Sequence, residues 1–139
     1  MLLRGLSTAR SNIMLHKITL CLCSCLLAAG PALALEGDKG LPAAAPREVA
    51  YETDVLPILE RSCYSCHQGV KHKGDFRLDR KSSALRGGES GKAFVPGKSG
   101  ESLLIHLVAG VDPEKAMPPG RKKKLSAAEI GILRAWIDQ

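Results

Sequence analysis

Aromatic side chains are scarce in this chain of 139 residues, which has two Phe, two Tyr and one Trp. The hydrophobic core must therefore be mostly aliphatic, or must pack around a group that is not protein. The sequence also lacks internal repeats, low-complexity tracts and the alternating pattern of half-buried strands. A hydrophobic fraction of 45% still suits a folded protein, and the length suits a single domain. We expect one small all-α domain.

Acidic residues are absent from the first 34 positions, which hold three basic ones. An apolar stretch over 18–29 is followed by Ala32-Leu33-Ala34, which supplies the small residues that signal peptidase recognises. A membrane span requires about 20 apolar residues, and this stretch is shorter. The sequence therefore predicts a signal peptide over 1–34, cleaved near Ala34, a periplasmic location and no membrane span in the mature chain. An uncleaved signal acting as an anchor is the alternative.

Few reactive groups remain once this signal is removed. Three of the five cysteines and two of the three methionines lie within it, which leaves Cys63, Cys66 and Met117. The net charge falls from +6 to +3, because the signal takes three of the 20 basic residues and none of the 14 acidic ones. So small a positive charge, with no aromatic residues between the basic ones, argues against nucleic-acid binding.

The mature chain opens with residues 35–48, which are rich in Gly, Ala and Pro and have no apolar periodicity. This composition predicts a flexible lead-in. The domain then occupies 49–139. Its long irregular segment over 68–99 is unusual for a small domain. Such a segment is reasonable if it wraps a large apolar ligand.

Helical signals occur at three places in the domain. Thr53 is positioned to cap a first helix that ends near the first cysteine, and apolar spacing predicts a second helix over 101–108. A third begins at Ser126, which forms a capping-box pattern with Glu129. The apolar positions of that helix place Arg134 on its outer face.

Cys63-Tyr64-Ser65-Cys66-His67 matches the Cys-x-x-Cys-His pattern that attaches a c-type haem. The two thiols add to the vinyl groups of adjacent pyrroles, and two intervening residues let one turn of chain bridge that gap. The imidazole next to the second thiol then lies beneath the iron. The pattern predicts Cys63 and Cys66 as covalent attachment sites for one haem c and His67 as an axial iron ligand.

Other uses of this motif remain open. A thioredoxin-like redox pair also contains Cys-x-x-Cys, but it expects surrounding strands that the sequence does not predict. A structural zinc ion needs four ligands, and His72 is a conceivable fourth beside the three residues of the motif. A plain disulfide is compatible with an exported protein.

The second axial ligand of such an iron would come from few candidates. Met117 stands fifty residues beyond His67 and precedes Pro118-Pro119, which restrict the local backbone. A stiff loop can hold a thioether against iron at a small cost in entropy. His72 is too close along the chain to reach the opposite face easily, and His106 lies on the flank of the second helix away from its apolar side. We therefore expect Met117 as the ligand, with a Met that merely fills the core as the alternative.

The mature chain resembles a class I cytochrome c, and more closely the planctomycete-type cytochrome c domain. The resemblance covers about residues 50–139. The matching segments are Val55-Leu56-Pro57-Ile58-Leu59, Cys63-Tyr64-Ser65-Cys66-His67, Phe76-Arg77-Leu78-Asp79, Gly87-Gly88-Glu89-Ser90-Gly91, Val95-Pro96-Gly97-Lys98, Glu101-Ser102-Leu103-Leu104, Met117-Pro118-Pro119 and Leu133-Arg134-Ala135-Trp136-Ile137-Asp138.

This resemblance implies about three helices and long loops around one covalent haem, axial His67 and Met117, and crossed first and last helices that meet at Trp136. Two features depart from the family. The residue after the motif is Gln68 where the family usually has Gly, and the chain stops at Gln139 where family domains commonly open a longer protein. The second departure favours a free-standing carrier.

The function that follows is that of an exported monohaem electron carrier, not an enzyme, because His and Met ligation leaves no open position on the iron. A haem-based sensor or peroxidase-like enzyme with a displaceable Met is the alternative, and a non-haem metal-binding module is a third possibility. Arg121-Lys122-Lys123-Lys124 follows the Met loop. It is either a solvated turn or a positive rim that attracts redox partners with acidic docking surfaces.

Export makes a direct prediction about the mature protein. Peptide sequencing of the haem-bearing protein from its native host should begin at Leu35, because cleavage after Ala34 fits the small-residue pattern. A haem-bearing chain that still begins at Met1 would contradict the predicted cleavage.

Overall fold

The computed structural model describes residues 38–70 and 72–139. The predicted signal over 1–34, the first residues of the lead-in and Lys71 lie outside the described residues. The helices of the described part, in chain order, are α1 Leu56–Ser62, α2 Tyr64–His67, α3 Lys81–Arg86, α4 Leu103–Ala109 and α5 Ala127–Asp138. This part of the chain contains no β-strand, and an isolated bridge joins Gly88 to Gly91. The expected all-α class is confirmed.

The first helix begins earlier than its apolar pattern predicts. A π-helical turn, Tyr51–Val55, leads directly into α1, so Thr53 lies within the turn and does not cap the helix. Asp54 serves the start of the turn, since its carboxylate accepts the amide of Ala50 at 2.9 Å and the guanidinium of Arg47 at 2.6 Å. The Arg47 contact and the Ala50 amide lower the pKa of Asp54 to about 2.

The second predicted helix is α4, which begins two residues later than expected and ends at Gly110. This glycine has the left-handed backbone (φ 68°) that commonly ends a helix, and its amide reaches back to the carbonyls of the last turn. Leu104, Ile105 and Val108 of α4 are buried in the core. Among the described helices, none is long and apolar enough to cross a membrane.

The last helix, α5, begins where its sequence predicts. The hydroxyl of Ser126 accepts the amide of Glu129 while the Glu129 side chain accepts the amide of Ser126, so the capping box is confirmed. Leu133 is fully buried, and α5 contacts both the π-helical turn and α4. The ring of Trp136 lies 5.6 Å from that of Tyr51 and marks the contact of the first and last helical segments.

Arg134 is not on the outer face of α5, so that prediction is wrong. The side chain is buried, and its guanidinium donates to Ser99 Oγ at 3.0 Å, to the carbonyl of Pro42 at 2.5 Å and to the carboxylate of Asp38. These partners come from two segments distant along the chain. The apolar periodicity of α5 cannot predict these partners. It places Arg134 outside only because a charged residue is usually exposed.

The expected flexible lead-in is corrected for residues 38–48. The amide of Ala45 donates to the carbonyl of Gly131 at 2.9 Å, and nearby side chains pack against the core. A Cβ atom added at Gly131 would lie 2.6 Å from the carbonyl oxygen of Ala43. The segment thus lies directly on α5, and part of its attachment is made by backbone atoms, which apolar periodicity does not record.

This contact makes a prediction about Gly131→Ala. Helix propensity alone would favour Ala by about 1 kcal/mol. The clash with Ala43 should reverse that sign and destabilise the protein by about 1–3 kcal/mol, as overpacking does. Denaturant unfolding and amide hydrogen exchange should show lower stability and loss of protection over 38–48. The exposed Ala128→Gly is the control: it should cost about 1 kcal/mol through propensity and leave that protection unchanged. A stabilised Gly131→Ala would contradict the close contact.

Candidate functional site

One cavity collects the side chains that the sequence singles out. Cys63, Cys66, His67 and Met117 all line it. The empty space among its lining residues, open solvent at the mouth included, is about 1010 Å³. Most of the lining surface is apolar, so the cavity suits an apolar organic group.

The single turn of α2 arranges the motif residues on one side of this cavity. The carbonyl of Cys63 accepts the amides of both Cys66 and His67 at 3.0 Å, while the amide of Cys63 continues α1 by donating to Leu59 at 2.8 Å. Both thiols are free and partly buried. Two thiols and an imidazole are thus held by one short backbone unit.

A backbone carbonyl orients the imidazole of His67. Its Nδ1 atom lies 3.2 Å from the carbonyl oxygen of Phe76. Because a carbonyl can only accept, Nδ1 donates its proton in this contact, which leaves Nε2 as the ring nitrogen available to a metal. This is the arrangement that metal-bound histidines use. The carbonyl of His67 also accepts the amide of Leu78 at 2.8 Å, which fixes the segment that supplies the acceptor.

Met117 reaches the cavity on a loop attached to α4. Its amide donates to the carbonyl of Leu107 at 2.9 Å, and the Met117–Pro118 peptide bond is cis. Pro118 is buried, and its carbonyl accepts the ammonium of Lys124. The loop is therefore tied to the domain on both sides of the thioether.

The other two histidines of the described residues lie outside the cavity lining and have partners of their own. His72 contacts the carbonyl of Gly69 and the carboxylate of Asp75, both at 3.0 Å. His106 contacts the carbonyl of Gly100 at 2.7 Å, so it is not simply solvated. Within the described residues, no three His, Cys, Asp or Glu side chains come together as a metal site, so the zinc alternative lacks its ligands there.

The walls of the cavity are mainly aliphatic and come from the long irregular segment and from α4. The apolar residues that line them include Phe76, Leu78, Ala93, Leu103, Leu104, Leu107 and Val108. Phe94 does not line the cavity, and its ring lies 6.4 Å from that of Phe76. Sequence reasoning missed the wall position of Leu103.

A glycine turn closes the wall and was not assigned a role from sequence. A Cβ atom on Gly88 would lie 2.4 Å from the carbonyl oxygen of Gly74 and 2.8 Å from Phe76 Cβ. The turn thus packs directly against the residue whose carbonyl orients His67. The Gly87-Gly88 pair was the available signal, because adjacent glycines often mark a close backbone approach.

The two thiols differ in their surroundings. Burial raises the pKa of Cys63 to about 11. The hydroxyl of Ser65 and the ammonium of Lys122, which lies 3.6 Å from the sulfur, lower the pKa of Cys66. The charged residues that line the cavity are Lys122 and Lys73, both cationic. The mouth near Cys66 is therefore electropositive.

These features fit a haem c. The cavity is apolar, two free thiols stand one helical turn apart, an imidazole is held through its Nδ1 atom, and a thioether comes from a separate loop. A soft thioether and an imidazole are ligands that haem iron accepts.

Comparisons with known proteins agree with this assignment. Residues 63–120 match the family model described as Planctomycete cytochrome C. This range begins at the first cysteine of the motif and includes Met117. No curated protein and no solved structure matches the chain. Residues 63–120 are therefore similar to a planctomycete-type cytochrome c domain, a family that implies a haem c.

Proposed function

We propose that this protein is an exported monohaem c-type cytochrome that carries single electrons and is not an enzyme. The observation that carries the proposal is the convergence of Cys63, Cys66, His67 and Met117 on one apolar cavity. In this proposal the two thiols form thioether bonds to the haem, His67 Nε2 ligates the iron on one face and Met117 Sδ on the other. The haem supplies reversible one-electron exchange.

Several features of the chain support a carrier with both axial positions filled. The contact of His67 Nδ1 with the Phe76 carbonyl holds the ring in one tautomer and strengthens Nε2 as a ligand. Attachment of Met117 to Leu107 keeps the thioether at the cavity wall. Because Met ligation favours ferrous iron, we expect a high reduction potential. The aliphatic wall of α4 acts in the same direction by lowering the local dielectric.

The electropositive mouth of the cavity is evidence for a redox partner with an acidic docking surface. Lys73 and Lys122 line the cavity, and the exposed residues of Arg121-Lys122-Lys123-Lys124 extend the positive surface beside it. Such a surface attracts negatively charged proteins and speeds their encounter. Transfer would then occur close to the Cys66 edge of the haem. The predicted signal over 1–34 supports a periplasmic location for this exchange.

Covalent attachment is the first test of this proposal. Acid–acetone extraction of the native protein, followed by a denaturing gel stained for haem, should leave haem on the protein band, because thioether bonds survive this treatment. Cys63→Ala and Cys66→Ala should each leave one thioether bond and shift the spectrum of the reduced pyridine complex, since one vinyl group then stays conjugated. Ser65→Ala, between the two cysteines, should behave as wild type. Complete extraction of haem from the native protein would contradict the proposal.

Ligation by Met117 is the second test. Ferric wild-type protein should show the weak charge-transfer band at the red end of the spectrum that accompanies an iron–thioether bond. Met117→Ala should lose this band, bind carbon monoxide and cyanide more readily, and have a lower potential, because the ligand that favours ferrous iron is gone.

His106→Ala is the control for that experiment. This variant removes the contact to Gly100 outside the cavity and should keep the charge-transfer band. If Met117→Ala keeps the wild-type spectrum, Met117 is not the ligand. High-spin features in the wild-type protein would instead favour the sensor or peroxidase-like alternative.

A further inference from the structure

A second pocket, lined by several basic residues, adjoins the haem cavity. It is lined by Arg61, Ser62, Ser65, Pro118, Lys122 and Lys123 and encloses about 590 Å³ including its open mouth. Ser62, Pro118 and Lys122 line both cavities. The pocket therefore forms between the end of α1, the turn of α2 and the loop that follows Met117.

The lining of this pocket is cationic and contains no carboxylate. The carboxylate of Glu129 binds the lining residue Arg61 at 2.5 Å and also accepts the amide and hydroxyl of Ser126. A guanidinium has five N–H donors, so this ion pair leaves other donors of Arg61 available. Hydroxyl groups of Ser62 and Ser65 stand beside the cations.

The two lysines of the pocket also keep hydrogen-bonding capacity. The ammonium of Lys122 donates to Ser65 Oγ at 3.1 Å and contacts Cys66 Sγ at 3.6 Å, which leaves one of its three donors free. Lys123 makes no hydrogen bond or ion pair with any residue in the described ranges. Three basic residues and two serines thus line one pocket, and the basic residues keep unused donors.

We propose that this pocket binds a small oxyanion of the phosphate type, and that the bound anion lowers the reduction potential of the haem. A tetrahedral dianion matches a concave site with several donors and net positive charge. Arg121 and Lys124 belong to the same basic run but do not line the pocket. The proposed site therefore uses only part of the run. The effect on the potential rests on the proposed function, because a negative charge beside Lys122 and Cys66 would favour ferric iron.

Binding is tested with inorganic phosphate on the haem-loaded protein. Amide shifts of ¹⁵N-labelled protein should change saturably at Ser62, Ser65 and Lys123 when phosphate replaces chloride at constant ionic strength. Lys123→Gln should weaken binding by about fivefold or more, the loss expected for one charge contact in largely aqueous surroundings. Arg121→Gln removes a charge from the same run outside the pocket and should bind phosphate as wild type does.

Each other result decides against the proposal. Equal losses in Lys123→Gln and Arg121→Gln, or shifts that never saturate, would show diffuse attraction and no site. Binding of a tetraglutamate peptide without binding of phosphate would make the pocket a contact for an acidic protein. Because the amide shifts report binding whichever ligand holds the iron, they separate this test from that of the proposed function. Saturation with phosphate should also lower the midpoint potential of wild type, and an unchanged potential would overturn the coupling.

Discussion

The carbonyl oxygen of Cys63 holds the site together by accepting the amides of Cys66 and His67. This one turn sets the spacing between the two thiols and places the imidazole beside the second. Because α1 leads into the turn through the hydrogen bond from Cys63 to Leu59, the functional groups are continuous with a packed helix. A functional site carried on such rigid elements keeps its geometry better than one on a free loop.

The few aromatic residues connect this turn to the rest of the fold. Ring contacts of 5.4–6.4 Å run without interruption from the imidazole to the contact of the first and last helical segments, through His67, Phe76, Phe94, Trp136 and Tyr51. Elsewhere the buried core is aliphatic, with Ile105 and Leu133 among its fully buried side chains. Most of the few aromatic rings thus lie together behind the site, while the cavity itself leaves room for a non-protein group.

Sequence predicted those features that depend on neighbours a few residues apart. The Cys63–His67 motif is one helical turn, and the Ser126 capping box needs only Glu129, so both follow from local spacing. The site could also be anticipated because its thiols and thioether are nearly the only such groups outside the predicted signal. The expected partners of the iron, His67 and Met117, do lie at one cavity, although their ligation stays a proposal.

Sequence could not predict contacts that distant backbone groups make. Arg134 is buried because Pro42 and Ser99 offer oxygen atoms to its guanidinium, and nothing in α5 records their presence. Gly131 is needed because the carbonyl of Ala43 occupies the space of a Cβ atom. Residues 38–48 have no apolar periodicity from which their contacts could be predicted, because main-chain atoms make several of these contacts.

The central claim is that Met117 and His67 hold one haem iron between them, and one measurement tests it most directly. Outside the predicted signal over 1–34 the sequence has a single methionine, so protein without that segment, labelled with ¹³C at the methionine methyl, should give one methyl signal in the diamagnetic ferrous state. A methyl group held against the face of the haem should resonate far upfield, outside the range of protein methyl groups. A methyl signal at the ordinary position of a solvated or core methionine would contradict the account.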